Sequence, residues 1–307
     1  MKMISVNYHY FRENSTGKGI YPISKSKLLK QIDLLAQSYE FATQEMVVSG
    51  NYPNGNKDFC LLTFDDGLKE QINAFDVLHG IGVPCVFYVT TDAIEHKKAV
   101  DVHKIHYLRS RLSDSEVINL ISDNFDISSY KFDESVLEKQ YRYDNSEARK
   151  LKYLLNFILD SQKKQELVNK IFSSLVTSEL DFCNVLYMDQ SDILRLHNAG
   201  ALGTHSASHR ALGMLELSDA KDDITRSVDF LRRVTGGNVP SISYPYGGPT
   251  AVPSIDKAFY EKLGLKFGLT MYRGVNQLPL DDLFLMRRFD TNDVTGGKAY
   301  KEEHFYV

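Results

Sequence analysis

Apolar positions recur along this chain with two periods, and their alternation predicts the elements. Short apolar runs read as strands at Met3–Val6, Tyr39–Ala42, Cys60–Leu62, Cys85–Val89, Ser241–Tyr244 and Phe267–Thr270. Between them, apolar residues fall three and four apart. Ser24 caps a stretch carrying Leu28, Ile32 and Leu35; Ile72, Phe75 and Leu78 follow Gly67; Asp189 opens a further capped helix. Ser218–Val234, with Ile224, Val228 and Leu231 on one face, is stopped by Gly236-Gly237. A last strand is predicted over Leu283–Asp290, its two consecutive arginines, Arg287 and Arg288, pointing to opposite faces. Repeated strand, helix, strand units predict an α/β fold with a parallel sheet or barrel and helices outside.

The pattern changes from about Asp92 to Tyr187. Here the segment from Leu112, Glu134–Tyr143 and above all Ala148–Val176, with Leu151, Leu154, Leu155, Ile158 and Leu159, read as helices rich in Lys, Glu and Gln. They predict a helical insertion at about 92–187 within a single domain spanning 1–307. Long excursions at the C-terminal ends of barrel strands shape substrate access. His96, His103 and His106, at its start, match no ligand spacing and read as a solvated helix face.

Composition narrows the function classes. A 307-residue chain that is 43% hydrophobic can bury roughly three quarters of the surface its unfolded form exposes, enough for one large domain. A net charge of −4 provides no general basic field, which argues against a nucleic-acid partner. The apolar stretch at the N-terminus is too short for a secretory signal or a membrane span, so a cytoplasmic location is expected. Cys60, Cys85 and Cys183 lie in apolar segments and are odd in number, which predicts buried reduced thiols.

Candidate chemistry centres on Leu61–Gly67, Leu-Leu-Thr-Phe-Asp-Asp-Gly. A buried strand rises into two adjacent carboxylates, Asp65 and Asp66, and is broken by Gly67. Neighbouring side chains on a regular strand point to opposite faces, so both acids can serve one pocket only if the strand ends there and the backbone rotates. Two carboxylates held close cannot both keep ordinary proton affinity; one is expected to hold a cation while the other stays available as a base. Far downstream, Gly203-Thr-His-Ser-Ala-Ser-His209 carries two imidazoles four residues apart. Two His and one Asp form a three-ligand set that leaves a coordination position open for water, as a hydrolytic Zn²⁺ or related divalent ion requires.

The pairing of Thr63–Gly67 with His205-Ser-Ala-Ser-His209 resembles the polysaccharide deacetylases of carbohydrate esterase family four, the chitooligosaccharide deacetylase homology domain. The resemblance spans Ile4–Val89 and Asp189–Asp293 and implies a distorted, TIM-like (β/α) barrel of about seven strands. It implies that Asp66, His205 and His209 hold a divalent metal, Zn²⁺ foremost, with Co²⁺, Ni²⁺, Mn²⁺ or Fe²⁺ as alternatives. Asp65 is then the base, Arg288 the group that orients it, and the Tyr246 backbone N–H, in Pro245-Tyr246-Gly247-Gly248, a donor to the oxyanion. Without the family, Tyr246 reads as a packing aromatic on a turn. Most of the family carry an Arg ahead of this Pro-Tyr element; here Ser243-Tyr244 stands in its place. Asn7-Tyr8-His9 is similar to the element that opens the biofilm-type poly-N-acetylglucosamine branch, which makes His9 the candidate general acid, with His304 as competitor. The implied substrate is an N-acetylated sugar in a polysaccharide, oligosaccharide or glycan precursor. A metal-dependent hydrolase of a non-sugar amide and an inactive glycan-binding module are the alternative readings.

Overall fold

The sheet is built from strands β1 (Lys2–Tyr8), β2 (Tyr39–Phe41), β3 (Asp58–Phe64), β4 (Val86–Val89), β5 (Leu202–Thr204), β6 (Ser241–Ser243), β7 (Phe267–Leu269), β8 (Asn276–Gln277) and β9 (Phe289–Asp290). They belong to a computed structural model that describes residues 1–14, 20–127, 132–140, 145–159 and 161–301. The sheet runs β7-β6-β5-β4-β3-β1, each neighbouring pair parallel. β2 lies parallel along the first half of β3, and β8 pairs antiparallel with β1. Met286 bridges Leu269 of β7, and three residues later Phe289 of β9 pairs with Val6 of β1. One segment therefore links the two ends of the parallel run. This is a distorted (β/α) barrel, one of the two arrangements open to the strand–helix alternation and the one the resemblance implies.

Parity along the strands sorts the side chains. The parallel register sets Met3 beside Phe59, Ser5 beside Leu61 and Asn7 beside Thr63. Met3, Phe59, Leu61, Val86, Tyr88, Phe267, Leu269 and Met286 share one buried apolar cluster. The same face turns polar toward the C-terminal ends of the strands, with Asn7, Thr63, Asp65, Ser243 and Arg288 all buried. On the opposite face Tyr8, Phe64 and Phe87 stack in a row with centroids 5.0 and 4.7 Å apart, and Phe75 of the helix Gln71–Gly80 meets Phe87 edge-on. Gly203 of β5 faces inward, where a Cβ would come within 2.3 Å of the Tyr88 ring. A larger residue there would collide with the packed interior.

The chain divides into two compact units, one of Met1–Asn14, Pro22–Lys98 and Cys183–Val307, the other of Ser15–Tyr21 and Ala99–Phe182. The second is helical, and its core gathers Leu108, Val117, Ile121, Leu151, Leu154, Leu167 and Phe172. Ala148–Val176 is not the continuous helix the periodicity predicts. Helix Ser146–Tyr153 passes into a π turn over Leu154–Ile158, and a separate helix starts at Ser161. Leu151, Leu154 and Leu155 all enter one core, and the wider turn resets the buried face behind them. His103 also departs from expectation: it is 1% exposed, because the helix Asp101–Arg111 buries Lys104 and Arg109 as well, paired with Glu179 and Asp114. Leu283–Asp290 shortens to β9, since the Asp282 carboxylate accepts the Phe284 N–H and holds the preceding residues in a turn. The three cysteines are buried and none is in a disulfide among the described residues. No helix among the described residues is long and apolar enough to cross a membrane.

Candidate active site

The same parity that fills the barrel interior aims a set of polar groups at its mouth. Phe59, Leu61 and Thr63 alternate inward on β3, and Asp65, one step past the strand end, continues the series. Asp66 would point the other way on a continued strand. Its φ of 83° and the 71° of Gly67 swing the chain round, so both carboxylates end up buried in one place. Gly67 has no alternative: a Cβ there would stand 2.9 Å from the Val89 side chain. On β5 the inward Gly203 is followed two residues later by His205, and on β6 the inward Ser241 by Ser243.

Asp65 is held from two strands, β1 and β6, and by Arg288, the residue just before β9. Arg288 pairs with it, Nη1 donating to Oδ1 at 3.0 Å and Nη2 standing 2.9 Å from Oδ2. Asn7 Nδ2 and Ser243 Oγ donate to Oδ2 at 3.1 and 3.0 Å. Arg288 is itself held, its Nε donating to the Thr270 carbonyl, Nη1 also to Thr63 Oγ1, and Nη2 to Ser243 Oγ. Burial alone would raise the Asp65 pKa, but Arg288, and after it His205, hold it below the ordinary carboxylate range. Oδ2 accepts two hydrogen bonds and also faces Arg288 Nη2, whereas Oδ1 accepts one, so Oδ1 keeps a lone pair open to a reactant.

Asp66 Oδ1 lies 3.4 Å from His205 Nε2 and 3.2 Å from His209 Nε2. The three residues are buried, and one ligand atom from each falls within 4.8 Å of the others. His205 Nδ1 bonds the Ser243 carbonyl at 2.7 Å, which places its proton on Nδ1 and turns the lone pair of Nε2 toward Asp66. Burial opposes the charged ring, yet Asp65 and Asp66 outweigh it and raise the His205 pKa. Lone pairs converging in this way call for a positive charge between them. A tetrahedral ion with bonds of about 2.0–2.1 Å has ligand edges of about 3.3–3.4 Å, close to the two separations here. The donor set therefore fits a divalent metal.

Two further expected residues, His9 and Tyr246, lie near this centre. His9 follows β1, is half-buried, and helps to lower the Asp65 pKa through its charge. Tyr246 is 49% exposed, with its ring 5.2 Å from that of His209. It sits on a turn with φ of 62°, next to Gly247, where a Cβ would approach Met271 N to 2.5 Å. Arg287 is exposed, and His304 lies outside the described residues. Of the five non-glycine residues with positive φ among the described residues, Asp66, Ser206, His209 and Tyr246 belong to this site. Each such residue costs on the order of 1–3 kcal/mol, and packing has to hold it there. Asn7 and Ser243 carried no role in the sequence reading. Both lie an even number of residues from an inward core position on their strands, which is the signal that could have found them.

A family model described as polysaccharide deacetylase matches residues 155–267, which include His205, His209 and Tyr246. No curated protein matches the chain. Among solved structures, the deacetylase PplD of Streptococcus pyogenes in complex with acetate is similar at 15% identity and TM-score 0.57, over 94% of this chain and 92% of that one. IcaB from Ammonifex degensii is similar at 17% identity and TM-score 0.53, over 95% and 93%. A de-N-acetylase from Aggregatibacter actinomycetemcomitans matches at 12% identity and TM-score 0.54, over 97% and 98%.

Proposed function

We propose that this chain, a member of the polysaccharide deacetylase family, is a metal-dependent hydrolase that removes acetyl groups from N-acetylated sugars in a polysaccharide, oligosaccharide or glycan precursor. One observation carries the reading: three convergent ligand atoms, on Asp66, His205 and His209, stand beside a second carboxylate, Asp65, held apart from them by Arg288. When bound there, a divalent ion, Zn²⁺ above all, supplies Lewis acidity that lowers the pKa of a water and polarises the amide carbonyl.

The chain's own groups do the rest. Asp65 takes the proton of the attacking water on Oδ1, the oxygen with a single hydrogen bond. Arg288, Asn7 and Ser243 fix the plane of that carboxylate and keep it ionised. The Tyr246 backbone N–H, on its strained turn, donates to the oxygen that becomes negative. His9 gives a proton to the departing amine, so the products are acetate and a free amino sugar.

The test pairs metal content with acetate release from N-acetylhexosamine oligomers. The wild-type chain releases acetate and loses the activity to a chelator. Asp65→Asn keeps its Zn²⁺ and loses about 10²–10⁴ in turnover. Hydrolysis of non-sugar amides with none of sugars would assign the substrate class elsewhere.

A further inference from the structure

The two imidazoles are not positioned in the same way. His205 follows β5 directly, and its Nδ1 is anchored on the Ser243 carbonyl. His209 comes four residues later, beyond a loop that is left-handed at Ser206 (φ 62°) and at His209 itself (φ 58°). What fixes that loop lies on its two edges. Its carbonyls, those of Ser206 and Ala207, accept the backbone N–H groups of Thr91 and Asp92 at the end of β4, at 3.3 and 2.9 Å. Its N–H groups turn the other way, toward Asp223 on the helix Leu217–Thr235.

Asp223 is fully buried. Its Oδ1 accepts the N–H groups of Ala207 at 2.8 Å and Ser208 at 3.2 Å, and its Oδ2 accepts the Ser208 hydroxyl. Arg226, one turn along the helix, has Nη2 3.5 Å from Asp223 and Nη1 2.9 Å from Asp92, and so ties the two edges of the clamp together. Arg210 Nη2 lies at 4.0 Å. A buried carboxylate requires compensating partners, and here the loop supplies three donors in one small region.

We propose that Asp223 is a positioning residue for the metal centre: by fastening Ala207 and Ser208 it sets the reach of His209 Nε2 to Asp66. The proposal rests on the metal reading above and adds a residue outside the ligand set. Groups that orient ligands from behind contribute about 10- to 100-fold to metal affinity.

The experiment measures Zn²⁺ affinity by competition with a chromophoric chelator, and the visible spectrum of the Co²⁺ form, in the full chain carrying Asp223→Leu, Asp223→Asn or Ser208→Ala. Asp223→Leu lowers Zn²⁺ affinity about 10- to 100-fold and alters the Co²⁺ spectrum. Asp223→Asn keeps an oxygen for the two N–H groups and stays close to wild type in both readouts. Ser208→Ala falls between them. A folded Asp223→Leu chain with wild-type affinity and spectrum overturns the proposal, as does an Asp223→Asn chain impaired as much as Asp223→Leu. If Asp223→Leu does not fold, Ser208→Ala decides, and unchanged affinity there overturns it. Failure of the wild-type chain to bind Zn²⁺ overturns the reading of the centre itself, and the two failures are thereby distinguished.

Discussion

Arg288 and Asp65 show how much of this site is settled between single side chains. Arg288 is 1% exposed, with four hydrogen bonds from its guanidinium and an ion pair to Asp65, so its removal strands a buried carboxylate rather than merely deleting a bond. Arg288→Met should lower stability by about 3–5 kcal/mol, read from urea unfolding, as well as abolish activity. Ser243→Ala is gentler. It removes one donor from Asp65 Oδ2 and one acceptor from Arg288 while the ion pair stays, so kcat should fall by about tenfold, roughly 1.4 kcal/mol, with little change in KM. A KM effect as large as the kcat effect would show that Ser243 acts on substrate instead. Sequence pattern located Asp65, Asp66, His205 and His209 because each belongs to a short stretch whose residue types and spacing carry chemical meaning. Asn7 and Ser243 escaped because an isolated Asn or Ser carries none until its neighbours in space are known.

Among the elements, strand parity does most of the positioning. Strand ends, caps and stops were legible: Ser24 accepts the Lys27 N–H, Asp189 accepts those of Ser191 and Asp192, and Gly236 ends its helix with φ of 71°. The inward residues of β5 and β6 are small, Gly203 and Ser241, because Tyr88 occupies the space between them. Gly203→Ala should cost about 1–3 kcal/mol by overpacking, visible as a lower urea midpoint with an unchanged slope. The helix Gln44–Ser49 and strand β8 have no counterpart among the elements the apolar pattern predicts. Both are short, and both are held by distant partners. Gln44 Nε2 donates to the Leu202 carbonyl and to Ser241, and β8 pairs with Lys2 and Met3 at the far end of the chain. Local propensity has little to say about an element of that length.

For the whole molecule, the centre joins segments more than a hundred residues apart, and a bound ion would hold them together. Zn²⁺ at about one hundred times its Kd should therefore stabilise the folded chain by about 2.7 kcal/mol, seen as a rise in Tm that a chelator reverses. In Asp66→Ala the rise should vanish, since two imidazoles alone leave the ligand set incomplete. A Tm that ignores both metal and chelator would count against the centre.

By itself the sequence determined the order of the longer strands and helices, the place where β3 stops, and which residue types could bind a cation or move a proton. These follow from side-chain period, from caps and glycines, and from the chemistry of carboxylates and imidazoles, all of which act over a few residues. The fold decided which of them meet. Parity says that Asn7, Asp65, His205, Ser243 and Arg288 face inward, but strand order and register bring them to one barrel mouth, and burial there makes their charges count. The Asp223 clamp belongs to that second class: nothing near Asp223 in the chain marks it, and the N–H groups it satisfies lie fifteen and sixteen residues away.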